Sequence, residues 1–360
     1  MKKIALLLLT LASVAHASSD RYVIEGDLDL ASSSVKKVGG QVSHKLKYHK
    51  ALIAHLSNSQ VRSLKQIASS LEIEKDGMVE VQGKPTGGTT TPPPETVPWG
   101  ITHINSQGAW NTSRGLGSIV CVVDTGVQRN HPDLQANVMG GENFIVSRGA
   151  IDPNKWDDDN GHGTHVAGTI AALDNEIGVV GVAPEASIFA AKVLDRRGSG
   201  YNSDIAEGIR SCISHGAHVI NMSLGGPSDS TVLKAAVQEA YAAGLVIVVA
   251  AGNESGPVSY PAKYSESIAV SAIDSSNRLA SFSNFGPEVD FAAPGVSVLS
   301  TTKGSTYVTY NGTSMASPHV AGVAALMLSS GLNTLKSRDI GLAPEAQGQG
   351  LIDSLLSVTP

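Results

Sequence analysis

The most constraining feature of the sequence is a series of short Val-, Ile- and Ala-rich runs that alternate with amphipathic stretches from residue 97 onward. The first run, Ser118–Val123, lacks the polar alternation of a half-exposed strand, which is typical of a strand buried on both faces. The other predicted strands are Ser187–Val193, His218–Met222, Val246–Ala251 and Ser267–Ala272; the predicted helices between them are Gly163–Leu173, Ser203–His215 and Thr231–Ala243. This alternation predicts an α/β fold: a mostly parallel sheet with helices on both faces and functional residues at the carboxyl ends of its strands.

The composition is that of a globular chain that can bury a full core. Of the 360 residues, 41% are apolar, and the formal net charge is only −6. The chain has no block of Lys and Arg such as nucleic-acid binders carry, so no nucleic-acid partner is predicted.

The N-terminus has the pattern of an export signal. Lys2 and Lys3 precede the apolar run Ile4–Val14, and the small residues Ala15 and Ala17 flank one position before Ser18. The run is too short for a membrane span, so residues 1–17 are predicted to be a cleaved signal peptide and no membrane anchor is expected. The predicted location is extracellular, or periplasmic in transit.

Two further segments precede the α/β region. Arg21–Val81 is predicted to be a small α+β unit with a helix around Ser59–Leu71. Lys84–Pro94 consists largely of Pro, Gly and Thr, and is predicted to be a linker without regular structure. The predicted divisions are therefore 1–17, 18–82, 83–94 and 95–360.

The chain contains two cysteines, Cys121 in a predicted strand and Cys212 in a predicted helix. Export would permit a disulfide between them. Two buried free thiols fit the sequence equally well, because cysteine is also a common small core residue.

Three segments place a reactive side chain directly after a strand or at the start of a helix. Asp124 ends the first predicted strand, and His162 and Ser314 each begin a stretch of small residues. Taken singly, these are ordinary cap or turn residues. Taken together, they supply what a serine nucleophile needs: an imidazole to take its proton and a carboxylate to orient the imidazole.

From Glu95 to Asp353 the sequence resembles the subtilisin family, on the motifs around Asp124, His162 and Ser314 and in their order along the chain. The resemblance implies a secreted serine endopeptidase of broad specificity that acts through an acyl-enzyme. It assigns Ser314 as nucleophile, His162 as general acid and base, Asp124 as the residue that orients His162, and Asn253 as a donor to the oxyanion. His165 and Ser317 are then structural.

The same resemblance implies a substrate-binding region. It consists of the segment that follows the predicted strand His218–Met222 and of the end of the predicted strand Val246–Ala251. Its strand should pair with an extended peptide, and its pocket should accept a large apolar or aromatic residue before the scissile bond without presenting a charged group. The implied residues are Ser223, Leu224, Gly225, Gly226, Ala250, Ala251, Gly252 and Ser259.

A structural calcium ion is also implied, since the family presents backbone and side-chain oxygens on a loop after the helix that contains its histidine. The implied ligands are Glu95, Asp133, Leu173, Asn175, Ile177 and Val179. A second acidic cluster, at Asp152 and residues 157–159, is predicted to be solvated charge rather than a further ion site.

The segment before the linker is similar to the family's prodomain, at Tyr22–Ile24 and Leu71–Val81. The similarity implies an intramolecular chaperone and inhibitor that the enzyme itself removes, by a cut between Val81 and Glu95. The expected partners are protein and peptide substrates and this prodomain, and a monomer is expected. Competing hypotheses are a catalytically silent binding scaffold and an esterase that uses the same site.

Overall fold

The computed structural model describes residues 19–89, 94–147 and 149–360. The chain forms two compact units. One contains the described residues up to Leu46 together with Lys50–Lys75, and the other contains Lys47–His49 and Asp76–Pro360. The predicted signal peptide lies outside the described residues. Within those residues, no helix has both the length and the apolar character needed to cross a membrane.

The first unit is a small antiparallel sheet with two helices, in agreement with the predicted α+β character. Its elements are β1 Asp20–Glu25, α1 Leu28–Lys37, β2 Gln41–Lys45, β3 Ala51–Leu56, α2 Asn58–Ile67 and β4 Glu72–Lys75, with sheet order β2-β3-β1-β4. Ser57 caps α2 in a capping box with Gln60, which explains why this helix begins where it does. Ile24, Leu52 and Leu64 lie in its core.

The second unit contains the predicted parallel sheet. Its strands, in chain order, are β5 Met78–Val81, β6 Lys84–Thr89, β7 Ile119–Asp124, β8 Val138–Asn143, β9 Ser187–Lys192, β10 Ser199–Tyr201, β11 Val219–Met222, β12 Leu224–Gly225, β13 Val246–Ala250, β14 Ile268–Ile273, β15 Val289–Pro294, β16 Val298–Thr302, β17 Thr306–Asn311, β18 Ser337–Arg338 and β19 Leu351–Ile352. The main sheet has the order β18-β19-β15-β14-β13-β11-β7-β9-β8, and its pairs are parallel except β18 with β19.

Helices cover both faces of this sheet. The helices of the unit are α3 Trp99–His103, α4 Ser106–Ala109, α5 His162–Ala171, α6 Asn202–Ser214, α7 Thr231–Ala242, α8 Thr313–Ser329, α9 Pro344–Gln347 and α10 Ser354–Ser357. On β7, Val120 and Val122 belong to the core that α5 and α8 share, whereas Cys121 between them bonds to Cys212 of α6. Because alternate side chains of a strand point to opposite faces, α6 lies across the sheet from α5 and α8.

The bond between Cys121 and Cys212 decides the question that the sequence left open. Both residues are buried, and neither cysteine is free. The crosslink connects residues 91 positions apart and fixes α6 to the strand that ends in Asp124.

Two smaller sheets form where residues 76–89 meet the rest of this unit. In the first, β5 lies between β10 and β12; in the second, β6 is the third strand beside the β16-β17 hairpin. The prediction that residues 84–94 lack regular structure is therefore wrong for β6. Pairing at a sheet edge uses backbone groups, so Gly and Thr can take part without an apolar pattern, and Pro is tolerated on an edge strand.

Candidate active site

Asp124 and His162 form a buried hydrogen-bonded pair. Asp124 is the last residue of β7, and His162 is the first residue of α5. Nδ1 of His162 lies 2.8 Å from Oδ1 and 3.0 Å from Oδ2 of Asp124, and a carboxylate can only accept, so Nδ1 carries the proton. In the neutral ring Nε2 is then an acceptor, and in the described part of the chain it has no hydrogen-bond partner.

Asp158 connects the end of β7, where Asp124 lies, to the start of α5, where His162 lies. Its Oδ1 accepts hydrogen bonds from the Thr125 hydroxyl and from the backbone N–H groups of Asn160 and Gly161. Its Oδ2 accepts from the backbone N–H and the hydroxyl of Thr164. The prediction of a solvated residue is therefore wrong for Asp158, because this carboxylate satisfies the free N–H groups at the start of α5.

The rest of the acidic cluster pairs with cations. Asp159 lies 2.7 Å from Nζ of Lys192, a buried lysine that also donates to the carbonyl of Thr125. Asp157 lies 3.8 Å from Arg129. Among the residues that the structure describes, no group of three or more His, Cys, Asp or Glu side chains is arranged to hold a metal ion.

Ser314 lies in the first turn of α8, at the positive end of a 17-residue helix. Its Oγ donates to the carbonyl of Ser223 at 2.8 Å. Pro318, four residues later, has no N–H to offer the Ser314 carbonyl, and the Ser223 hydroxyl donates to that carbonyl instead at 2.9 Å. The proline therefore frees a backbone acceptor through which Ser223 holds the start of α8.

Ser314 and Asn253 together surround one carbonyl oxygen, that of Gln82. The backbone N–H of Ser314 donates to it at 3.0 Å and Nδ2 of Asn253 at 2.5 Å. Oδ1 of Asn253 accepts from the N–H of Thr313 at 2.9 Å, which fixes the orientation of the amide. Two donors on one carbonyl oxygen, one of them at a helix N-terminus, form the arrangement that stabilises an oxyanion in acyl transfer.

The chain before Gln82 lies in the site as an extended strand. β5 pairs antiparallel with β12 on one side, in the register Val81 with Leu224, and with β10 on the other. The N–H of Gln82 donates to the carbonyl of Ser223 at 3.2 Å. This is recognition by strand addition, and it uses the backbone of the predicted segment Ser223–Gly226.

Gly83, which follows the Gln82 carbonyl, lies against the reactive groups. A Cβ at this position would be 2.9 Å from Sδ of Met315, 3.1 Å from Nε2 of His162 and 3.2 Å from Cβ of Ser314. These separations are tighter than ordinary van der Waals contacts. The peptide bond between Gln82 and Gly83 therefore lies where Ser314, the imidazole of His162 and two hydrogen-bond donors to the Gln82 carbonyl converge.

A cavity of about 530 Å³ adjoins Gln82. Gly225, Gly226 and Ser259 line it as predicted residues, while Ala250 and Ala251 are buried and do not. Its lining also includes three polar residues that the sequence did not single out: Glu254, Lys263 and Asn284. The expectation of a pocket without a charged group is therefore wrong. Gly252 adjoins it, since a Cβ there would lie 2.6 Å from Oγ of Ser259.

Three of the implied calcium ligands meet on the loop after α5. Asn175 donates from its N–H to Oε2 of Glu95 at 2.5 Å and from Nδ2 to Oδ1 of Asp133 at 2.9 Å. Burial raises the pKa of Asp133 to about 7 and also raises that of Glu95. Two desolvated carboxyl groups beside an oxygen-rich loop suit a hard cation. Leu173, Ile177 and Val179 lie on the same loop, and the N–H of Val179 donates to Asp133.

Comparison with known proteins agrees with this geometry. The family model described as "Subtilase family" matches residues 115–345. The chain belongs to the subtilase family. Subtilisin E of Bacillus subtilis is 47% identical over 311 residues, 83% of this chain and 77% of that protein. The thermostable alkaline protease of Halalkalibacterium halodurans is 45% identical over 328 residues, 89% and 85% of the two chains. M-protease of Shouchella clausii is 40% identical over 372 residues, 96% and 93%.

This subtilase is a serine endopeptidase with the α/β fold of its family, and the predicted family, fold class and enzyme class are confirmed. The sequence reasoning did not single out Gln82, Gly83 or Asp158. For Asp158 the sequence offered no signal, because it lies three residues before the N-cap Gly161 and among other acidic residues. For Gln82 and Gly83 the sequence offered only a range, from Val81 to Glu95.

Proposed function

We propose that this subtilase is a secreted endopeptidase that matures by cutting its own chain between Gln82 and Gly83. The observation that carries the proposal is the Gln82 carbonyl, which accepts from both Ser314 and Asn253 while Gly83 lies against His162. Residues 18–82 are then the prodomain. They act as chaperone and inhibitor, since β5 and Gln82 fill the cleft that a substrate would use.

In the proposed reaction, Ser314 Oγ attacks the carbonyl carbon while Nε2 of His162 takes the hydroxyl proton. For this the hydroxyl exchanges its Ser223 acceptor for Nε2. The negative oxygen is stabilised by the Ser314 N–H and by Asn253, and Asp124 stabilises the imidazolium. His162 then passes the proton to the Gly83 nitrogen as the C–N bond breaks. Water, deprotonated by His162, hydrolyses the ester between Ser314 and Gln82.

Self-cleavage is tested by folding the chain without residues 1–17 in calcium, beside its Ser314→Ala variant, and measuring intact masses. The expected products end at Gln82 and begin at Gly83, and the variant stays whole. Two uncut chains, both folded by circular dichroism, would contradict the proposal and favour the silent scaffold. Comparing an amide with its matched ester substrate tests the esterase hypothesis.

We further propose that the cavity beside Gln82 prefers a large apolar or aromatic residue before the scissile bond. Gly225 and Gly226 leave room for one, and Glu254 at the lining disfavours an acidic residue, since the Lys263 charge at the same lining is paired with Glu288. Matched peptides with Phe, Gln or Glu at this position should be cut in that order of kcat/KM. The Glu254→Gln variant should raise kcat/KM for the Glu peptide and leave the values for the Phe and Gln peptides nearly unchanged.

Calcium is proposed to bind the loop through Glu95, Asp133, Asn175 and the carbonyl groups of Leu173, Ile177 and Val179. The ion would supply positive charge between the buried carboxylate of Asp133 and the half-buried carboxylate of Glu95, and would hold the loop together. Calorimetry of the Ser314→Ala variant should show a Tm that falls on chelation and recovers with calcium. An unchanged Tm would contradict the site. Export is tested by the N-terminus of the secreted Ser314→Ala chain, expected at Ser18.

A further inference from the structure

The edge of β17 continues the cleft beyond the scissile bond. β17 ends at Asn311, three residues before Ser314, and β6 pairs antiparallel along its length from Asn311 with Lys84 to Tyr307 with Thr89. The hydroxyl of Thr86 adds a hydrogen bond to the carbonyl of Thr309 at 2.9 Å. The segment that follows the scissile bond is therefore held as a strand, as the segment before it is.

The same stretch of chain docks a second time, at the loop that contains the proposed calcium ligands. Pro94 forms a bridge with Ile177, and Thr96 with Val179. The N–H of Thr96 donates to the carbonyl of Gly178 at 2.8 Å. Both attachments exist while the bond between Gln82 and Gly83 is intact. Cutting that bond therefore does not require either attachment to move.

We propose that the β17 edge is an extended docking strand for the leaving-group side of substrates, and that residues 84–89 compete for it after the first cut. This rests on the proposed self-cleavage. The fitting substrate is an extended peptide with glycine directly after the scissile bond, since a Cβ at Gly83 would crowd Met315 and His162. An enzyme that begins at Gly83 is thus partly blocked on one side until its N-terminal segment is displaced or trimmed.

The competition is intramolecular, which makes it effective. A short tether keeps a segment at an effective concentration on the order of millimolar, near or above ordinary KM values. The block should therefore raise KM for substrates that reach β17. Substrates that end at the scissile bond should not be affected.

The test uses two substrates with one acyl sequence: an anilide, and a peptide extended by six residues past the scissile bond. Enzyme that begins at Gly83, identified by mass, is compared with the Thr86→Pro and Thr86→Val variants matured in the same way. Thr86 lies at a register shift in β6, between Pro85 and Gly87. Proline removes its hydroxyl and restricts the backbone at this shift, whereas valine removes only the hydroxyl.

We expect the KM of the extended peptide to be about 10-fold lower for Thr86→Pro than for the other two enzymes, with anilide kinetics equal within about twofold. Equal KM values in all three would overturn the competition, as would the absence of any species that begins at Gly83 among the cut products. Enzymes that neither mature nor cut the anilide would instead contradict the proposed function.

A second measurement tests the strand itself in the uncut chain. Amide hydrogen exchange along β17 is compared between the Ser314→Ala chain and its forms with the added Thr86→Pro or Thr86→Val change. Faster exchange at residues 307–311 with proline alone supports the docking strand. Equal exchange in all three chains shows that β6 does not protect β17, and the proposal then fails.

Discussion

The two segments that flank the scissile bond are held in different ways. β5, before the bond, lies between two partner strands, β10 and β12, whereas β6, after it, has one partner, β17. The acyl side is therefore recognised from both edges, and the leaving-group side from one edge with help from a tether. The difference suggests that, in the proposed self-cleavage, the acyl side sets which bond is placed at Ser314, while the leaving-group side is held by one edge and can be displaced from it by a competing strand.

The largest effect should come from a donor to the reacting carbonyl, because every substrate places its carbonyl there whether or not it extends past the scissile bond. Replacing Asn253 by Ala removes the donor at 2.5 Å. We expect kcat to fall by about 10²–10³, a size already known for this donor in subtilisins rather than derived from these distances. The loss should be the same for anilide and extended substrates. A loss confined to one of them would contradict the shared role.

The next largest effect should come from Gly83, the first residue on the leaving-group side of the proposed scissile bond. In the Gly83→Ala precursor, the new methyl group meets Met315, His162 and Ser314. Displacement of the reacting carbonyl should slow self-cleavage by about 10- to 100-fold. The Lys84→Ala chain is the control, because that side chain is exposed, and its rate should match the wild type. Equal rates for the two variants would show that Gly83 is not crowded.

Asp158 should have an intermediate effect, because it acts through other residues. The Asp158→Asn change keeps the size but exchanges an acceptor oxygen for a donor among N–H and hydroxyl groups. One mismatched hydrogen bond to a charged acceptor costs about 1.5–3 kcal/mol, so we expect kcat to fall about 10-fold with KM unchanged. The Asp158→Ala variant lacks the mismatched amide group, so it should be more stable to unfolding than Asp158→Asn. Its kcat should be no higher than that of Asp158→Asn. An unchanged kcat would leave Asp158 a purely structural cap.

The last effect is on stability rather than on reaction rate, and it concerns the leaving-group side. Nε2 of His165 lies 3.1 and 3.0 Å from the carbonyl oxygens of Val298 in β16 and Val308 in β17. Burial lowers the pKa of His165 to about 3, so the unfolded chain takes up a proton first as the pH falls below about 6.5. The free energy of unfolding should then fall by about 1.4 kcal/mol per pH unit down to about pH 3.

This pH dependence is measured by denaturant unfolding of the Ser314→Ala chain between pH 7 and 5. His319 contributes with the same sign, since burial lowers its pKa to about 4. A His165→Gln change in the same background should reduce the slope by about 1.4 kcal/mol per pH unit. An identical slope in both chains would contradict the assignment to His165.

How much the sequence could predict depends on whether a feature leaves a side-chain pattern. Five parallel strands and three helices are predicted to within about two residues, because burial imposes an apolar pattern on them, whereas the parallel strands β8, β15 and β19 are not predicted. Asp124, His162 and Ser314 could be singled out because each lies at a strand end or helix start. β6 could not, since its pairing uses backbone groups that Gly and Thr share with any residue.

Two further differences follow from tertiary contacts. Asp158 looked solvated because it lies among other acidic residues, and only the fold shows that its oxygens point at the start of α5. Glu254 follows Asn253 directly, and its position in the cavity depends on a contact with Asn284, which lies 30 residues away in the sequence. The pairing of Cys121 with Cys212 likewise required the distance between β7 and α6.

The anchoring of both flanking strands bears on the energetics of the cut bond itself. After the proposed cut, the Gln82 carboxylate would still be held through β5 and the Gly83 amine through β6, so the two ends would stay together. Their recombination is then a unimolecular step at a high effective concentration, unlike that of free peptides in dilute solution. Within the folded chain, the equilibrium constant for hydrolysis of this bond should therefore be closer to one than it is for free peptides. In the proposed maturation, the departure of residues up to Gln82, rather than the breaking of the bond, would therefore make the reaction irreversible.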